Sequence, residues 1–111
     1  YLYQYKTATH GILFRQELSC LSVAAGGGTT DINVVYNAAA DLARDGTDAG
    51  GTTYGVDGAG ISSGGTVVND AAATPTNNHY AYITAGDTSG DGSAFTDGHY
   101  IYRTYGHAAL A

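Results

Sequence analysis

Aromatic and polar side chains alternate along residues 1–9, with Tyr1, Tyr3 and Tyr5 against Gln4 and Lys6, a period of two that predicts a strand. Ile12 to Ala25 changes rhythm. Arg15, Gln16, Ser19 and Ser22 lie opposite a stripe of Phe14, Leu18, Leu21 and Ala25, which favours a helix ended by Gly26-Gly27-Gly28. The competing reading is a strand continuing from the first, since Ile12 and Phe14 also alternate. Thr30 to Arg44 reads as the clearest helix: Ile32, Val35, Tyr36, Ala39 and Ala43 share one face, with Asn33, Asn37, Asp41 and Arg44 opposite. Thr30 can cap it, Asp31 suits its dipole, and Gly46 stands where it should stop.

Glycine dominates from Asp45 to Gly65, so that span reads as a surface loop or as cover for a short strand around Thr52–Val56. Thr66-Val67-Val68 starts a strand, and Pro75 to Asn78 makes a turn. Two strands then follow, near 79–85 and 99–105. They carry a repeat, His-Tyr-x-Tyr-x-Thr-x-Gly, beginning at His79 and again at His99; the core of it also occurs at Tyr3-Gln4-Tyr5-Lys6-Thr7. Each copy puts Tyr, Tyr and Thr on one face of a strand. Antiparallel pairing of the last two copies would join Tyr80 and Tyr82 with Tyr102 and Tyr100 on one face. Ala81, Ile83, Ala85 and Ile101 would then receive the 30–44 helix on the other. The expected fold class is therefore α+β: an antiparallel sheet of short Tyr-rich strands packed with one or two amphipathic helices, the alternative being an all-β sandwich.

Composition narrows the function more than the fold. At 111 residues the chain is expected to form a single domain, 1–111, with residues 1–10 either completing the chain's own sheet or forming an extended N-terminal arm or donor strand. The net charge is −6 and the four basic residues, Lys6, Arg15, Arg44 and Arg103, are dispersed, so a nucleic-acid partner or an anionic lipid surface is not expected. No apolar run approaches the roughly 18–20 residues that span a bilayer as a helix. Seventeen glycines, one lysine and many Thr, Asp and Tyr suit an extracellular or virion surface, and a first residue other than Met suggests a cleaved leader or a longer chain. Cys20, being single, cannot form an intrachain disulfide and reads as a small buried apolar residue.

Candidate chemistry is sparse. Glu17 is the only glutamate, no Gly-x-Ser-x-Gly occurs, and the glycine-rich stretches lack the Lys-Ser/Thr of a phosphate loop, so catalysis is not expected. His10, His79, His99 and His107 stand near strand ends without metal-ligand spacing. Between the last two strands, Asp87, Ser89, Asp91, Ser93 and Asp97 form an oxygen-rich loop whose opening resembles EF-hand and dockerin calcium loops over about a dozen residues. It departs from them at the twelfth place, where Gly98 stands and Asp97 falls one early; strands rather than helices are expected to flank it. The implied cofactor is calcium. The ending Ile101 to Leu110 also resembles, over ten residues, the tails of phage head-decoration proteins.

Three functional classes follow as expectations. The first is a self-assembling subunit of an extracellular filament or pilus-like fibre, with Tyr3, Tyr5, Tyr80, Tyr82, Tyr100 and Tyr102 as contacts between copies of itself. The others are a virion coat or capsid decoration protein, and a calcium-dependent carbohydrate- or surface-binding module. Calcium titration by calorimetry separates the last from the rest. A calcium loop gives binding heat that Asp87→Ala with Asp91→Ala abolishes, whereas absence of heat in the unaltered chain removes the ion from consideration.

Overall fold

The computed structural model describes residues 1–26, 32–40, 53–58, 61–70, 74–85 and 95–108. Seven strands and one helical turn lie in those segments: β1 (Tyr3–Gln4), α1 (Thr7–His10), β2 (Ile12–Gly26), β3 (Ile32–Asn37), β4 (Thr53–Asp57), β5 (Thr66–Asn69), β6 (Tyr80–Ala85) and β7 (Phe95–His107). They form two antiparallel sheets, one in the order β1-β6-β3-β4 and one in the order β5-β2-β7. The architecture follows the all-β alternative rather than α+β.

Both expected helices are strands, for different physical reasons. Along β2 the buried residues are Leu13, Gln16, Leu18, Cys20 and Ala24. Their spacing is uneven because the ladder with β7 slips between Leu13 and Arg15, and again between Cys20 and Ser22 and between Ser22 and Ala25. In these three slips the extra residue belongs to β2, which pushes the next inward position one place along; in a fourth, between Ala25 and Gly26, the extra residue is Thr96 of β7. Bulged alternation of this kind imitates the three-and-four spacing of a helix. In β3 the cause is burial on both faces. Ile32, Asn33, Val34, Val35 and Tyr36 are all buried, and a central strand enclosed on both sides shows a continuous apolar run that a helical template also fits. The β-branched Ile32, Val34 and Val35 favour the extended form. Residues 38–40 of the expected 30–44 helix are not helical, and residues 30, 31 and 41–44 lie outside the described residues.

The two late Tyr strands do not pair. β6 lies between β1 and β3 in one sheet, while β7 pairs with β2 in the other. The expected strand over 1–9 is shorter, since the chain leaves the ladder after Gln4 and turns through α1. A short strand does occupy the glycine-rich region at β4, and a turn occupies 77–78 with Asn78 left-handed at φ 66°.

The sheets face each other across one core. Ile32, Val34, Tyr36, Val56 and Ala81 come from the first sheet, with Tyr5 just beyond β1; Leu13, Leu18, Cys20 and Ala24 come from the second. Ile61, just before β5, closes one side. β1 sits in the first sheet of its own chain, held by Leu2 N–H to the Ala81 carbonyl (2.7 Å) and Tyr5 N–H to the His79 carbonyl (2.8 Å). The Asn77 carboxamide oxygen accepts from Thr7 N–H at 2.9 Å, which fixes the start of α1 to the turn before β6.

Only Gly11 separates α1 from β2, so the chain changes sheets within a few residues. The buried Tyr5 hydroxyl donates to the Gly11 carbonyl at 2.6 Å and holds that corner. Gly11 has φ +72°, and a Cβ there would stand 2.0 Å from the His107 carbonyl oxygen. Gly11→Ala is expected to cost about 3 kcal/mol, combining backbone strain with a backbone clash. Gly64→Ala, also at positive φ (+84°) but with nothing within 4 Å, is expected to cost about 1 kcal/mol. Denaturant titration of the two variants checks that difference.

Candidate functional site

The six tyrosines expected to form an open contact face are divided between the two sides of the first sheet and the inner side of the second. Tyr3 opposes Ala81, which in turn opposes Tyr36, so Tyr3 points into the core; Tyr5 follows it and is fully buried. Tyr82 opposes Val35 on the other side of that sheet, buried, with its hydroxyl donating to the Ala39 carbonyl. Tyr80 lies on the same side, half-buried, its ring 4.7 Å from that of Tyr1. Tyr100 and Tyr102 oppose the buried Cys20 and Leu18 and pack against the core. The expected face shared by Tyr80 and Tyr82 with Tyr100 and Tyr102 is thus absent, because β6 and β7 lie in different sheets.

Tyr3, Tyr36 and Tyr102 meet at their hydroxyls. The Tyr3 and Tyr36 oxygens are 2.6 Å apart, as are those of Tyr36 and Tyr102, and Tyr102 donates onward to the Gln16 carboxamide oxygen. Each phenol carries one proton, so the last bond sets the direction of all of them: Tyr3 donates to Tyr36, Tyr36 to Tyr102, and Tyr102 to Gln16. The chain of bonds joins β1 and β3 of one sheet to β7 and β2 of the other. Gly55 in β4 makes room for it, since a Cβ there would lie 2.6 Å from the Gln16 oxygen and 2.8 Å from the Tyr36 ring. Burial pushes all three phenols above the ordinary tyrosine range. They stay protonated at neutral pH and act as structural donors.

The second sheet keeps an open outer side. Phe14, Leu21, Val68, Ile101 and Tyr105 are all exposed there, Phe14 at 53% and Leu21 at 61%. The only other large exposed apolar residues among those described are Tyr1 and Leu2 at the N-terminus. Phe14 stacks with the His107 ring at 6.4 Å and leans on Tyr105 at 6.5 Å. Beside them Arg15 grips Glu17, with Nη2 to Oε1 at 2.7 Å and Nε to Oε1 at 2.8 Å, while the Tyr105 hydroxyl donates to the other carboxylate oxygen at 3.1 Å. The Arg15 hydrogen bond holds the Glu17 carboxyl below its usual range. Arg103 opposes Glu17 across the ladder and holds no ion pair of its own among the described residues.

Of the loop expected to hold calcium, Asp87, Ser89, Asp91 and Ser93 lie outside the described residues. Asp97 is exposed; its carboxylate accepts from Gly98 N–H at 2.7 Å and stands 3.9 Å from His99 Nδ1. No group of three or more His, Cys, Asp or Glu side chains gathers among the described residues. His10 lies against Tyr3 and Tyr5, and His107 against Phe14, well separated from the Asp97–His99 pair in sequence and in ladder position. No helix among the described residues is long and apolar enough to cross a membrane.

Sequence reasoning misses Tyr36, Gln16, Phe14 and Tyr105. It places Tyr36, Gln16 and Phe14 on helices, and Tyr105 falls at a variable position of the repeat that begins at His99. Alternation of Ile12 with Phe14 is the available signal, obscured by the bulge between Leu13 and Arg15. Comparison with protein-family models, with curated proteins and with solved structures finds no match, so the chain's own geometry carries the functional reading.

Tyr36→Phe removes the middle of the hydroxyl chain and is expected to cost about 1–3 kcal/mol. The phenols also set an alkaline limit. Unfolded tyrosines ionise near pH 10 while the buried ones keep their protons, so above that pH the unfolded chain binds fewer protons and stability falls. The expected slope is about 1.4 kcal/mol per pH unit for each phenol that stays protonated, and less for the half-buried Tyr3, which solvent screens. Tyr36→Phe is expected to reduce the slope by one such increment. Thermal melts at pH 7 to 11 read both effects.

Proposed function

We propose that this chain is a structural, self-associating subunit, built into an extracellular filament or a virion coat. The observation that carries the reading is the outer side of the second sheet. Five large apolar side chains are exposed together there, and among the described residues the only other large exposed apolar ones are Tyr1 and Leu2 at the N-terminus. A protein of net charge −6 repels its own copies over most of its surface, but this side holds Arg15 and Arg103 against Glu17 and is locally relieved of negative charge. Support also comes from what the buried residues do. The tyrosine cluster is hydrogen-bonded within the core and its phenols are kept protonated, an arrangement suited to rigidity rather than turnover.

β1 lies in the sheet of its own chain, which supports assembly through preformed surfaces over donation of the N-terminal strand to a neighbour. Sedimentation velocity and negative-stain microscopy are expected to show a concentration-dependent oligomer, filament or shell. Phe14→Ser with Leu21→Ser, both at exposed positions, is expected to weaken it about tenfold or more while leaving the melting temperature nearly unchanged. A monodisperse monomer at millimolar concentration would overturn the reading.

A further inference from the structure

We infer that two copies of this chain join edge to edge through β7, in antiparallel register with Asp97 of each copy opposite Arg103 of the other. The inference rests on the self-association proposed above and names its contact.

β7 is thirteen residues long and, among the described residues, pairs on one side only, with β2. Its other side presents a row of backbone donors and acceptors with no strand against it among the described residues. Exposed edges of this length are usually blunted by lysine, proline, an inward-pointing charge or a bulge. β7 contains no lysine or proline, and its inward row of Tyr100, Tyr102 and Thr104 carries no charge. Between Asp97 and His107 every extra residue in the ladder belongs to β2, so β7 has no bulged insertion over that stretch. The other outer strand of this sheet, β5, is only four residues long, and the edge strands of the first sheet are two and five residues long.

The choice of a second copy over another protein comes from the order of charges. The exposed row of β7 reads Asp97, His99, Ile101, Arg103, Tyr105. A two-fold axis at Tyr100 opposes Asp97 with Arg103 twice and His99 with Ile101 twice, matching sign to opposite sign at both ends of the contact. Asp97 and Arg103 are both exposed, and Glu17, the carboxylate nearest Arg103 in the ladder, is already held by Arg15. Moving the axis to Ile101 would set His99 against Arg103, and moving it to Arg103 would set the two arginines against each other. The resulting six-stranded sheet, β5-β2-β7 joined to its mate, doubles the open apolar side and leaves it available for contact with further copies.

The test is sedimentation velocity on the whole chain and on Asp97→Arg, Arg103→Asp and the double variant, with thermal melts confirming that each is folded. Each single reversal is expected to raise the dimer Kd about tenfold or more, and the double to restore it to within about threefold. If a reversal unfolds the chain, Asp97→Asn and Arg103→Gln read the same contact without introducing like charges. Single variants that associate as the unaltered chain does overturn the edge contact while leaving self-association standing. Weakening that the double variant fails to repair overturns the register. An unaltered chain that stays monomeric, its edge left to another protein's strand or to none, overturns this inference and the self-association reading together.

Discussion

The structure depends on giving phenol oxygens hydrogen-bond partners as their rings are buried. Ten tyrosines in a light, glycine-rich chain supply much of its large apolar surface, yet each ring brings a hydroxyl that is costly to bury alone. The Tyr3–Tyr36–Tyr102–Gln16 chain answers that cost with one continuous line of hydrogen bonds running from one sheet to the other. Because each hydroxyl can donate only once, the line works in one direction and needs an acceptor at its end. Gln16 supplies it, which explains a fully buried glutamine in the middle of an otherwise apolar row. Tyr5 solves the same problem separately by donating to Gly11, and Tyr82 by donating to Ala39.

Those bonds also set how closely the sheets may approach. Where Gln16 and Tyr36 crowd β4, only glycine fits, at Gly55; where β2 starts beside the end of β7, only glycine fits, at Gly11. Small residues in this chain therefore have two roles. Some allow backbone to meet backbone or a polar head group, and others, such as Ala24 and Ala81, fill the narrow parts of the core. The bulges in β2 serve its pairing with β7. They let a fifteen-residue strand follow a thirteen-residue partner while keeping Leu13, Gln16, Leu18, Cys20 and Ala24 inward.

Asymmetry between the sheets directs outward contacts. The first sheet has buried residues on both sides of its central strand, with Val35 and Tyr82 enclosed on the side away from the core. The second is enclosed on one side only. Its other side combines apolar side chains with a tightly held Arg15–Glu17 pair, and its margin is a long strand with one partner among the described residues. In an acidic chain, self-contact is least opposed where cations concentrate, and two of the four basic residues are on this side.

By itself the sequence determined local elements: tyrosines at strand spacing, a turn at Pro75–Asn78, and strands near 66, 79–85 and 99–105; it left a short strand among the glycines as one of two readings and pointed to α+β where the fold is all-β. Period-two alternation and turn chemistry are local, so those elements were legible without knowing what they pack against. Only the tertiary structure decided that residues 12–26 and 32–37 are strands. In β2 the alternation is broken by bulges that exist only opposite β7, and in β3 it is erased by burial on both sides. Tertiary structure also separated the two Tyr repeats into different sheets. Identical stripes have identical local preferences, and which stripe faces the core is set by long-range pairing with β3 or β2. The same pairing turned Tyr3 and Tyr102 inward to share Tyr36, and left Phe14, Ile101 and Tyr105 outside as the surface through which copies are proposed to meet.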